Sequence, residues 1–198
     1  MTLLSLSLLG PFNATHDDQP LNNFKTNKVQ ALLIYLAVER SPIRRESLLT
    51  LLWPGMPEKS ARHNLSQTLY ALRKILQTPP NESVPDEIQL VLADRQTIQI
   101  NPNAAVDTDL YQLDQLIDKT KTHPHKKLEG CQSCTQALEQ GVSFYRGDFQ
   151  TDFYLEDSNV FEEWTEAVRE SYRTKIINVL VTLADIATQK ADYEANGD

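Results

Sequence analysis

The chain has 198 residues, 40% of them hydrophobic and 23% charged, with six glycines and two cysteines. That is the make-up of an ordinary globular protein, large enough for one domain with a good core or two small ones, and it excludes fibrous, disordered and disulfide-stapled classes. The net charge of −8 is uneven: residues 1–103 carry ten Lys and Arg against nine Asp and Glu, whereas residues 104–198 carry nine against eighteen. Two domains, 1–103 and an acidic 104–198, are the simplest division.

The opening MTLLSLSLLG lacks the basic start and small-residue cleavage site of a signal peptide, and no apolar run approaches a bilayer-spanning length. With two cysteines three apart, a reducing cytoplasm is the expected compartment, and no membrane is expected as a partner. Leu4, Leu6 and Leu8 alternate with Ser5 and Ser7, predicting a strand over Leu3 to Phe12. Gly10-Pro11 and Asp17-Asp18 punctuate it, leaving Phe12 to Thr15 and Leu21 to Phe24 as short partner strands. Asn27 is the expected N-cap of a helix over Lys28 to Glu39, with Val29, Leu32, Leu33, Leu36 and Ala37 as its apolar stripe. A second helix is predicted over Arg45 to Trp53, followed by the hard turn Pro54-Gly55-Met56-Pro57.

The third helix, within Pro57 to Gln77, carries the most information. Ala61, Leu65, Leu69, Leu72 and Leu76 recur at helical spacing and form an inward stripe. Lys59, His63, Gln67, Tyr70 and Lys74 then fall on the opposite face, flanked by Arg62, Ser66 and Arg73 on one side and Asn64 on the other. Amides, hydroxyls, an imidazole and cations on one helix face have the chemistry that reads base edges and grips phosphates, although a solvated amphipathic helix has the same pattern. Ile88 to Val91 and Thr97 to Ile100 predict a closing hairpin around Ala93-Asp94-Arg95-Gln96. A helix-turn-helix followed by a β wing places one helix in the major groove and the hairpin on neighbouring backbone.

The segments LSLLGPF, KVQALLIYLAVERSPIRRESLLTLLWPGMP and ARHNLSQTLYALRKIL resemble the OmpR/PhoB-type winged helix, and more closely its SARP-type branch. The resemblance covers roughly the first hundred residues. It implies that Lys59 to Leu76 is a recognition helix, that Asp86 to Asn101 is the wing, and that Trp53 packs at the end of the preceding helix. Further on, YRGDF (145–149) and FEEWTEAVRE (161–170) resemble the bacterial transcriptional activation domain that follows the winged helix in SARP-type regulators. In that family this domain helps pair subunits into a homodimer and engages RNA polymerase. The resemblance also implies continuation beyond ADYEANGD into further repeats or an ATPase module.

From Asp107 the pattern turns helical. Leu110, Leu113, Leu116 and Ile117 mark one helix, and Cys131 to Tyr145 a second with Cys134, Leu138, Val142 and Tyr145 inward. A third, long helix from about Asn159 carries Phe161, Trp164, Val168, Tyr172, Ile176, Val179, Leu183 and Ile186 as a buried seam. Such helices suit a tetratricopeptide-like stack. The fold class expected is therefore an α+β winged helix-turn-helix with a small sheet, followed by an all-α domain.

Between the first two of these helices, His123, His125, Cys131 and Cys134 are four good zinc ligands within twelve residues. Zn²⁺ there would staple a loop to the start of a helix; otherwise the cysteines are small buried hydrophobes. No other cofactor is expected. No nucleophile elbow, Gly-rich phosphate loop or H-E-x-x-H helix occurs, and the carboxylates at Glu162-Glu163 and Asp152 to Asp157 fit a solvated face, so an enzyme is not expected. The function expected is a sequence-specific regulator of transcription, an activator, that binds double-stranded DNA. Arg62, His63, Ser66, Gln67 and Tyr70 would lie near base edges, with Arg62 and Gln67 foremost because their planar groups pair bidentately with guanine and adenine. Lys59, Arg73, Lys74, Arg44 and Arg45 would hold phosphates, and Arg95 would reach out from the wing tip. The competing expectation is a protein-interaction scaffold whose winged helix binds no DNA.

Overall fold

A computed structural model of the chain describes residues 3–77, 89–124 and 128–195. Its first strand is β1 (Leu3–Ser7), with Leu4, Leu6 and Leu8 buried as the alternation requires. Strand β2 (Asn13–His16) pairs antiparallel with it, Leu4 opposite His16 and Leu6 opposite Ala14. Asp17 and Asp18 both take positive φ (49° and 62°), a tight turn that returns the chain at once into the two-residue β3 (Gln19–Pro20). The partner strand expected at Leu21 to Phe24 is therefore not one. The ladder ends at Pro20 with one further bond, from the Leu21 amide to the Ala14 carbonyl (2.8 Å), and Phe24 instead sets its ring edge-on to Phe12 at 5.6 Å.

Helix α1 (Asn27–Glu39) starts from Thr26 as N-cap rather than Asn27. It buries Ala31 and Ile34 besides the five predicted residues, because the molecule encloses it on more than one side. The two-residue β4 (Ile43–Arg44) leads into α2 (Arg45–Leu52), and after the turn at Pro54 to Pro57 comes α3 (Glu58–Leu76). Strands β5 (Val91–Ala93) and β6 (Thr97–Ile100) form the hairpin, and β6 also pairs with β4, giving a sheet in the order β4-β6-β5. The first residue predicted for this hairpin, Ile88, lies outside the described residues, as does the start of the implied wing.

A strand the sequence pattern had not indicated follows. Strand β7 (Ala105–Thr108) runs parallel to β1, Leu4 opposite Val106, so the first sheet reads β3-β2-β1-β7. Parallel partners need a long crossover, and here the crossover is everything from β2 to β6. Thr108 then caps α4 (Asp109–Thr122) by accepting the Tyr111 amide at 3.0 Å. Helix α5 (Gln132–Ser143) packs against α4 where Gly141 allows it: a Cβ there would stand 3.1 Å from a Leu113 methyl. Helix α6 (Asn159–Ala195) completes the chain with the predicted seam turned inward.

The two family-like motifs meet in space. The Gly10 amide donates to the Asp148 carbonyl (3.0 Å) and the Gln150 amide to the Leu8 carbonyl (3.0 Å), so YRGDF is laid along the extension of β1. Gly10 has φ of 110°, and a Cβ on it would lie 3.2 Å from that of Arg146, so glycine is required there. One apolar cluster runs from Leu4 and Leu32 through Leu72 to Leu110, Phe149, Phe161 and Ile176, across both halves of the sequence. Trp164 stacks edge-on to Tyr35 of α1 (4.8 Å) and its indole N–H donates to Glu39 (2.9 Å).

The buried Asp109 carboxylate accepts the amide of Leu8 (2.8 Å), that of Leu9 (2.9 Å) and Arg146 Nη2 (3.3 Å). Asp109→Ala strands those amides, and the expected loss is about 3 kcal/mol. Urea unfolding followed by fluorescence of Trp53 and Trp164 checks it: both reporters should move to one lower midpoint. Two separated transitions in the parent protein would contradict the shared core.

Candidate nucleic-acid interface

Ala61, Leu65, Leu69, Leu72 and Leu76 are all buried, and α3 packs by this stripe on α1 and α2. The helix carries four cations against one carboxylate. Lys59, Arg62, His63, Ser66, Gln67, Tyr70 and Lys74 are exposed, Tyr70 to 66%. Seven of the proposed contact residues thus lie together on one open helix face. Arg73 is turned away from it. Its guanidinium is partly buried and donates to the Val91 carbonyl at 3.1 Å, tying α3 to the hairpin.

Local contacts refine the roles of the others. Arg62 is gripped by two carboxylates, Glu58 at 2.7 Å and Glu46 at 3.1 Å. The hydrogen bond it donates to Glu58, then the one it donates to Glu46, pushes its guanidinium further above its ordinary range. The Ser66 hydroxyl donates to the Arg62 carbonyl (2.9 Å), which leaves its lone pairs to face outward as acceptors. Asn64 reaches back to Met56 Sδ (3.3 Å) and secures the turn before α3.

The hairpin is held to the same frame. Ile43 and Arg44 of β4 pair with Ile98 and Thr97, and Arg45 donates from its own amide to Gln96 O and from Nε to Asp94 O, each at 2.9 Å. Arg44 is exposed; Arg45 is half-buried and serves the hairpin. At the tip, Asp94 Oδ1 accepts the amides of Gln96 (2.7 Å) and Thr97 (2.6 Å), which projects Arg95 into solvent. These two amides, Thr97 first, hold the Asp94 carboxyl below the usual carboxylate range.

No protein-family model matches the chain, and no curated protein matches it. Among solved structures, the fold matches that of Mycobacterium tuberculosis EmbR, solved in complex with a low-affinity phosphopeptide, with a TM-score of 0.70 at 20% identity. The match covers 98% of this chain and 48% of that one, so the chain spans about half the length of EmbR. The chain shares the fold of that half of EmbR. Among the described residues no helix is long and apolar enough to cross a membrane.

The zinc-ligand residues lie where α4 ends and α5 begins. His123 is the C-cap of α4, Cys131 the N-cap of α5, and Cys134 is buried in its first turn; His125 lies outside the described residues. Residues that sequence reasoning missed are Glu46 and Glu58 as partners of Arg62 and Val91 as the acceptor for Arg73. Of these only Glu58 had a signal, its spacing of four from Arg62.

Because the Asp94 carboxyl is depressed in the folded chain, its anchoring of the tip is present above pH 3.8 and is lost as pH falls through its lowered value. The amide resonances of Gln96 and Thr97 should titrate together with a midpoint below 3.8. In Asp94→Asn that titration should vanish, and amide exchange at Thr97 should quicken about tenfold at neutral pH. Unchanged titration in the variant would remove Asp94 from this role.

Proposed function

We propose that the chain is a sequence-specific, double-stranded-DNA-binding regulator of transcription, with α2, α3 and the β5–β6 hairpin acting as a winged helix-turn-helix. The observation that carries this is the open polar face of α3, clear of the acidic half and backed by a hairpin fastened to the same helices. An exposed helix of these residue types fits a major groove, and the tip cation Arg95 reaches the adjacent backbone or minor groove. Arg62, His63, Ser66, Gln67 and Tyr70 are assigned to base edges. Lys59, Lys74 and Arg44 are assigned to phosphates, with Arg73 and Arg45 bracing the hairpin instead.

Residues 104–198, with helices α4 to α6, are proposed as the partner-facing domain of tetratricopeptide-like stacking. Pairing of two chains, contact with RNA polymerase, an activating role and residence in the cytoplasm rest on the resemblance to SARP-type regulators. The fold shared with EmbR is what the structure adds to that resemblance.

Selection from a random duplex pool, followed by binding measured across salt, tests the proposal. A DNA binder enriches one motif and loses affinity steeply as salt rises; failure to retain any duplex at low salt hands the reading to an interaction scaffold. On the selected site, Gln67→Ala should erase about 1–3 kcal/mol of preference at a single base pair. Lys74→Ala should weaken all duplexes alike and lower the salt slope by about one. Equal losses on selected and random DNA for both variants would refute these roles.

A further inference from the structure

The connection between α4 and α5 gathers three donors that the regulator reading does not use. The ligand atoms of His123, Cys131 and Cys134 all lie within 4.8 Å of one another. Cys131 Sγ stands 3.5 Å from His123 Nδ1. Tetrahedral zinc with its usual bond lengths to sulfur and nitrogen places such a pair at about 3.6 Å. Ser133 Oγ is 3.5 Å from the other imidazole nitrogen, Nε2, so that Nδ1 can face a metal while Nε2–H is oriented by an outer hydroxyl. We infer that His123, Cys131 and Cys134 form a structural Zn²⁺ site joining the C-terminus of α4 to the N-terminus of α5.

Two soft thiolates and an imidazole select zinc over calcium or magnesium, and the two thiolates neutralise the dication. On binding, both thiol protons pass to solvent and two Zn–S bonds and one Zn–N bond form, with water in the fourth position; no electron moves. The metal closes the link between two helices whose packing extends through Leu138 to Val179 and Ile186 of α6. Its role is to stiffen the helical half. It is independent of DNA binding by α3.

The test uses the full chain, reduced and stripped with chelator, and titrated with Co²⁺ as the probe. A single tetrahedral cobalt per chain with thiolate-to-metal charge transfer is expected, displaced by an equivalent of Zn²⁺. Zinc should also protect Cys131, the more exposed of the two thiols, from alkylation, read by intact mass, and raise the melting temperature. Cys131→Ser, Cys134→Ser and His123→Ala should each weaken binding by about tenfold or more. The inference is overturned if reduced parent protein with native circular dichroism gives no charge-transfer band at saturating Co²⁺. It is equally overturned if zinc leaves alkylation, or air oxidation to a Cys131–Cys134 disulfide, as fast as before. These readouts on the parent chain stand even where a variant does not fold.

Discussion

Asp109 occupies a place where a charge is costly. It is 8% exposed, and burial pushes its carboxyl above the usual carboxylate range, with the amides of Leu9 and Leu8 and the Arg146 guanidinium pulling it back in part. Such a group persists only where every lone pair has a donor, and its donors come from three separate stretches of chain. It thereby fixes the exit of β1, the start of α4 and the YRGDF segment relative to one another. The Gly10 crossing depends on the same junction, since Arg146 packs where a Cβ of residue 10 would stand. The β1–β7 pairing then makes the two halves of the sequence share a sheet, a core and a buried carboxylate.

That junction determines what the exposed helix can do. Helix α6 enters beside α1 and α2: the Ser158 hydroxyl donates to the Leu51 carbonyl, Lys28 pairs with Asp157 at 2.6 Å, and Trp164 sits on Tyr35. Helix α3 packs its apolar stripe on α1 and α2 as well, and its polar face stays exposed. The outcome is a molecule of net −8 with a locally cationic, open face. Global charge would slow approach to DNA, yet at physiological salt only charges within about 8 Å of a phosphate matter much.

Much of this was legible in the sequence because periodicity reports burial. The α3 stripe, the alternation in β1 and the seam from Phe161 to Ile186 all sit where spacing places them. What was not legible depended on partners distant in sequence. Ala105–Thr108 is too short and mixed to announce a strand, and becomes one only because β1 offers a free edge. Leu21 to Phe24 has strand-like composition, but the tight turn at Asp17-Asp18 brings the chain back so early that Gln19 and Pro20 take the places opposite β2 instead. Within the candidate interface, helical winding placed the outward residues correctly but said nothing of Arg73, whose length lets it fold back to the Val91 carbonyl. Outward position on a helical wheel is a statement about Cβ; a guanidinium four bonds further along answers to the nearest acceptor.

Arg62 shows how the same locality bears on recognition. Its fork is already satisfied by Glu46 and Glu58, both exposed, and exposed ion pairs hold weakly. On the proposed reading, a duplex must draw the guanidinium away from these carboxylates while bringing phosphates toward them. Phosphates alone offer a poor exchange, since the two acids repel the backbone that attracts Lys59 and Lys74. A guanine at the right step offers a bidentate acceptor pair that replaces both lost bonds. The acids therefore penalise unselected DNA more than a matched site, which is discrimination achieved by a repulsive element as much as by an attractive one.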